Sequence, residues 1–80
     1  MEVFYSKQAR KVIEKLDVPT KHRIRQAIDK LPDGDIKQLS GRLNVFRLRV
    51  GDWRILFSYP DAETILVEKV APRGNVYKEG

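Results

Sequence analysis

Apolar residues recur along this chain with two different periods, and the change from one to the other divides it into a helical part and a sheet part. Ala9, Val12, Ile13 and Leu16 are spaced i, i+3, i+4 and i+7, one stripe of an amphipathic helix whose other face carries Arg10, Lys11, Glu14 and Lys15. Ile24, Ala27, Ile28 and Leu31 repeat that spacing, with Lys21, Arg23, Arg25 and Lys30 turned outward. Val18-Pro19-Thr20 interrupts the two, and so short a connection predicts an antiparallel helical hairpin. Ahead of it, Met1 to Tyr5 alternates loosely as a short strand, and Ser6 is placed to cap the first helix.

Beyond Pro32-Asp33-Gly34-Asp35, which stops the second helix, the segment Ile36 to Leu43 leads irregularly into the sheet, with Ser40-Gly41 as a turn. From Asn44 to Tyr59 the period is two. Phe46, Leu48, Val50, Trp53, Ile55 and Phe57 share one face of a β-hairpin, and Arg47, Arg49 and Arg54 share the other. Gly51-Asp52 is a glycine-first turn of the kind that closes hairpins. Pairing Val50 with Trp53 sets Arg49 directly across from Arg54, and like charges so opposed destabilise a sheet by up to roughly 1 kcal/mol. An anion placed there would reverse the sign of that cost.

Pro60-Asp61-Ala62-Glu63 turns the chain into a last strand, Thr64 to Ala71, whose register has two solutions. Pairing Ser58 with Thr64 puts Ile65 and Val67 on the core face and Glu68 across from Arg54. The other solution buries Glu68 among apolar groups, which costs several kcal/mol, on the order of a lost ion partner, so the first is expected. The predicted fold is α+β, β-α-α-β-β-β, a largely antiparallel four-stranded sheet with a helical hairpin packed on one face.

Composition narrows the chemistry. Eighty residues are expected to form one domain, residues 1–80, burying only about 60–65% of its unfolded surface. With no cysteine and a single histidine, neither a disulfide, a thiolate metal site nor a His-rich site is expected, and no cofactor is implied. The start Met1-Glu2-Val3-Phe4-Tyr5-Ser6-Lys7 lacks the apolar core of a signal peptide, and no apolar run approaches a membrane span, so a cytoplasmic protein without a membrane partner is expected. Sixteen Lys and Arg against eleven Asp and Glu give a net charge of +5, which favours polyanionic partners.

The basic sheet face is where that charge has chemical use. Arg47, Arg49 and Arg54 with Glu68 converge near its middle, and Arg42 is expected at its rim. Guanidinium groups bind phosphate through paired hydrogen bonds and stabilise charge developing on a phosphorane. The ending Ala71-Pro72-Arg73-Gly74-Asn75-Val76-Tyr77-Lys78 adds a further arginine and a tyrosine. On chemistry alone, Tyr77 either stacks on a base or exchanges a proton, or packs its ring on the hydrophobic rim. His22, among Lys21, Arg23 and Arg25 on the polar side of the second helix, is read as a surface residue.

Gln38-Leu39-Ser40-Gly41, the strand Val45-Phe46-Arg47-Leu48-Arg49-Val50, Gly51-Asp52-Trp53-Arg54-Ile55-Leu56-Phe57 and the ending Pro72 to Lys78, together with the Phe4…Ala9…Leu16 opening, resemble the RelE/ParE superfamily of type II toxin–antitoxin toxins, specifically its RelE branch. The resemblance implies a toxin that enters the ribosomal A site, cleaves mRNA by attack of the RNA's own 2′-hydroxyl, and is neutralised by a cognate antitoxin. It implies catalytic roles for Arg47, Arg49, Arg54, Arg73 and Tyr77, with Glu68 as a further candidate, and RNA contacts from Arg42, Lys69 and Lys78. Well-known members carry lysine at the Arg47 and Arg49 positions, and some carry histidine where Val76 stands. Arginine does not usefully lose a proton, so Arg47 and Arg49 are read as phosphate binders, Tyr77 as the general acid or base, and Glu68 as a base or merely a counter-charge for Arg54. A ParE-like gyrase inhibitor and a non-catalytic module holding an acidic partner are the alternatives.

Overall fold

In a computed structural model, which describes residues 2–39 and 44–73, the order of elements is β1 (Glu2–Tyr5), α1 (Lys7–Glu14), α2 (Val18–Asp29), β2 (Ile36–Gln38), β3 (Val45–Val50), β4 (Trp53–Asp61) and β5 (Thr64–Pro72). The five strands form one sheet in the order β1-β5-β4-β3-β2. Every pairing is antiparallel except β1 with β5. The helical hairpin packs on one face, as the two periods require.

Two local features differ from the sequence expectation. Pro19 does not interrupt the helices but lies in the first turn of α2, where its missing amide costs nothing, and Asp17 caps that turn by accepting from the Thr20 amide at 3.1 Å. The segment after Gly34 is not irregular throughout. Ile36–Gln38 forms a fifth, edge strand, with Ile36 opposite Leu48 and Lys37 opposite Arg47. At three residues it is too short for a period to show.

The core lies between the helices and one face of the sheet. Ala9, Ile13, Ile24 and Ile28 meet Leu48, Ile55, Phe57, Ile65, Val67 and Val70, all buried. At its centre Phe57 is 0% exposed and stacks on Phe46 with centroids 5.6 Å apart, while Tyr59 meets both rings edge-on. Burial of a Phe, Leu or Ile side chain contributes about 1.5–3 kcal/mol each. This face of the hairpin is the one that alternation predicted.

The β4–β5 register differs from the sequence expectation. The turn is tighter than Pro60-Asp61-Ala62-Glu63: Asp61 pairs with Thr64, and the Asp61 carboxylate accepts from the Glu63 amide at 2.9 Å. Ser58 therefore faces Leu66, not Thr64. Further along, Phe57 pairs with Val67 but Leu56 with Lys69, so Glu68 is the extra residue of a β-bulge. Arg54 consequently faces Ala71 rather than Glu68.

The bulge is stabilised by the start of α1. β1 ends at Tyr5, and among the described residues no strand lies beside the following part of β5 on that side. Ser6, the N-cap of α1, donates its hydroxyl to the Glu68 carbonyl at 2.7 Å while accepting from the Ala9 amide at 3.0 Å. Gln8 bridges both backbone groups of Val70, donating at 3.3 Å and accepting at 3.2 Å. Side chains thus satisfy backbone groups that a longer β1 would have paired.

Candidate nucleic-acid interface

Strand alternation places Val45, Arg47 and Arg49 of β3, Arg54, Leu56 and Ser58 of β4, and Ala71 of β5 on the sheet face away from the helices. Leu56 and Ala71 are buried and pack with Leu39 in a small second cluster, so this face has an apolar floor. Lys37 lies beside Arg47 across the β2–β3 pairing.

Arg49 and Arg54 are directly opposed, as the hairpin pairing predicted. Their guanidinium groups are held apart by different partners. Arg54 is 9% exposed and turns back onto its own hairpin, where Nη1 donates to the Gly51 carbonyl at 2.8 Å and to the Trp53 carbonyl at 3.0 Å. Gly51, at φ +58°, supplies the left-handed conformation that this turn requires. Arg49 instead reaches the residue just ahead of β2, its Nε donating to Oδ2 of Asp35.

Asp35 is the residue that sequence reasoning missed. Its Oδ1 also accepts from Nη2 of Arg47 at 3.4 Å, so one carboxylate joins both β3 arginines. It reaches that place through backbone pairing: the Arg49 amide donates to the Asp35 carbonyl at 3.0 Å, one step beyond Ile36 opposite Leu48. Gly34, at φ +135° and passed closely by Leu48, carries the chain into this edge. The only early signal was that Asp35 immediately precedes an apolar residue able to enter the sheet. Counter-charge for these arginines was expected from Glu68 or a ligand, and here Asp35 supplies it.

The remaining residues implied by the resemblance are distributed as follows. Lys69 lies opposite Leu56 at the bulge, next to the half-buried Glu68. Arg73 is exposed, and its amide donates to the Asp52 carbonyl at 2.7 Å, which ties the end of β5 to the hairpin turn beside Arg54. Arg42, Tyr77 and Lys78 lie outside the described residues. His22 is exposed on α2. No helix among the described residues is long and apolar enough to cross a membrane.

Chemically, the face offers permanent positive charge, and among the described residues its core is the Arg47–Asp35–Arg49 group. Arg47 is the more enclosed of the two arginines, with a side chain 17% exposed against 54% for Arg49. Its Nε is buried and has no hydrogen-bond partner among the described residues.

Comparison with known proteins places this arrangement in context. Residues 3–77 match the family described as the ParE toxin of type II toxin–antitoxin system, parDE. A chain in the crystal structure of the RelB–RelE antitoxin–toxin complex from Methanococcus jannaschii superposes with a TM-score of 0.76 at 25% identity, covering 92% of this chain and 94% of that one. The archaeal RelE–RelB complex from Pyrococcus horikoshii OT3 gives 0.72 at 25% identity, with 91% and 94% covered. The toxin–antitoxin complex RelBE2 from Mycobacterium tuberculosis shares the fold, with a TM-score of 0.73 at 23% identity and 90% of each chain covered. No curated protein matches by sequence.

Proposed function

This chain belongs to the RelE/ParE superfamily of type II toxin–antitoxin toxins, and from that premise we propose that it is a cytoplasmic, ribosome-dependent mRNA endonuclease neutralised by a cognate antitoxin. The observation that carries the reading is the pair of β3 arginines on the sheet face away from the helices, bridged by the two oxygens of one carboxylate. Two guanidinium groups set to receive two oxygens of one anion are suited to the non-bridging oxygens of a phosphodiester.

In the reaction, the 2′-hydroxyl of the RNA attacks the adjacent phosphorus and the 5′-oxygen leaves, giving a 2′,3′-cyclic phosphate and a 5′-hydroxyl. Negative charge accumulates on the non-bridging oxygens in the transition state, where Arg47 and Arg49 stabilise it. Neither arginine carries a proton away, so we assign proton transfer to Tyr77. Glu68, moved by the bulge from its expected place opposite Arg54, becomes the weaker candidate for a base. Arg54 acts by shaping the hairpin on which Arg49 stands, and Arg73, joined through its amide to the turn, adds charge at that end.

Induced expression in growing bacteria, with mapping of RNA 5′ ends, tests this reading. New ends within translated messages are expected for the unaltered protein and not for Arg47→Ala or Arg73→Ala. Growth arrest with unchanged message ends would reject it. The match of residues 3–77 to the ParE family favours inhibition of DNA gyrase as the second reading. Gyrase-trapped DNA breaks in the same cells would put that reading first.

A further inference from the structure

We propose that the Asp35 carboxylate is a built-in occupant of the phosphate site, displaced by an RNA phosphodiester when the basic face is loaded. The inference rests on the reading that this face takes nucleic acid, and adds to it a competitor within the chain.

Three observations carry it. The first is stereochemical. Oδ1 of Asp35 meets Nη2 of Arg47 and Oδ2 meets Nε of Arg49, so the carboxylate divides its oxygens between two guanidinium groups as a phosphodiester divides its two non-bridging oxygens. The second is that the carboxylate satisfies Arg47 incompletely. The Arg47 contact is long, at 3.4 Å, and Nε of the same residue is buried with no partner among the described residues.

The third observation is that Asp35 is not needed to hold the strands together. Its backbone already pairs with Arg49, and Ile36 beside it is opposite the buried Leu48. The side chains of Asp35 and Arg49 are 43% and 54% exposed, the setting in which an ion pair adds little to stability, and the pair with the more enclosed Arg47 is the longer of the two. A tethered anion whose ion pair lies partly in solvent is open to exchange for another anion. It offsets the charge of Arg47 and Arg49, and it sets a threshold that a single free phosphate crosses less readily than a strand whose further phosphates also meet Lys37.

The test is binding of a short fluorescently labelled single-stranded RNA to the purified full chain, followed by anisotropy. Asp35→Asn and Asp35→Ser are compared with Asp29→Asn, which makes the same charge change on the exposed side of α2. Both Asp35 variants are expected to bind roughly two- to fivefold more tightly than the unaltered protein, the upper part of the range of an exposed ion pair removed from competition. Asp29→Asn should change affinity less than twofold, and Arg47→Ala should weaken it in either background. Loss of binding in Arg47→Ala without a gain in the Asp35 variants beyond that of Asp29→Asn would overturn the proposal and leave the nucleic-acid reading standing. Absence of RNA binding by every protein, under low-salt conditions, would overturn both.

Discussion

Arg54 offers the sharpest separation between structural and chemical roles on the basic face. A phosphate-binding arginine can be truncated with little effect on folding, whereas Arg54 is 9% exposed and its Nη1 bridges the carbonyls of Gly51 and Trp53. Hydrogen bonds to charged groups contribute about 1.5–3 kcal/mol each. Because both share one nitrogen and the turn carbonyls regain water on truncation, Arg54→Ala should cost about 2–4 kcal/mol. For a domain this small, each kcal/mol lowers Tm by about 4–8 °C, so the variant should melt roughly 8–32 °C below the unaltered protein. Arg54→Lys should fall between the two, since an ammonium reaches one carbonyl but lacks the planar fork. Far-UV circular dichroism during thermal and urea unfolding reads this directly. If Arg54→Ala melts within about 3 °C of the unaltered protein while RNA cleavage is abolished, the guanidinium works at the phosphate and the structural argument is wrong.

Four further outcomes follow from the packing. Phe57→Ala, which empties the centre of the aromatic cluster, should cost about 3–5 kcal/mol and leave the domain largely unfolded at 37 °C, as one-dimensional NMR dispersion would show. Ser6→Ala removes both the α1 cap and the bond to the Glu68 carbonyl, and chemical denaturation should report a loss of about 1–2 kcal/mol. At Gly51 an added Cβ would lie 3.0 Å from Nη2 of Arg23, whose flexible end can move aside, so the cost of Gly51→Ala is set by the left-handed backbone, about 1–2 kcal/mol in the same assay. Hydrogen bonds from the Thr20 hydroxyl and amide hold the Asp17 carboxyl below its ordinary range. Its contribution is therefore present above the unfolded pKa, near 4, and lost as pH falls through the folded value. Asp17→Asn keeps an acceptor but cannot titrate, so its acid-unfolding curve should flatten relative to that of the unaltered protein.

Much of the architecture was legible because it depends on local periods. Residues such as Ile24 and Ile28, one helical turn apart, or Phe46 and Leu48, two apart, declare their faces without reference to anything distant. The pairing of Arg49 with Arg54 was equally readable, since a two-residue turn leaves the hairpin one register. The site was legible only in part. Its arginines lie on a long strand with a clear alternation, but Asp35 precedes a strand of three residues whose existence depends on β3.

The sequence by itself determined which residues face the helices, where the main hairpin turns, and that three arginines share the opposite side. Tertiary structure decided what those arginines touch. Edge-strand pairing brought Asp35 to Arg47 and Arg49 from twelve and fourteen residues away along the chain. The cap and side-chain amide of α1, sixty-two residues from β5 in sequence, stabilised the bulge that takes Glu68 out of line with Arg54. The physical reason is the range of the forces involved. Side-chain periodicity follows from backbone geometry a few residues at a time, whereas counter-charges and bulges are set by which unsatisfied backbone and charged groups meet once distant segments have packed.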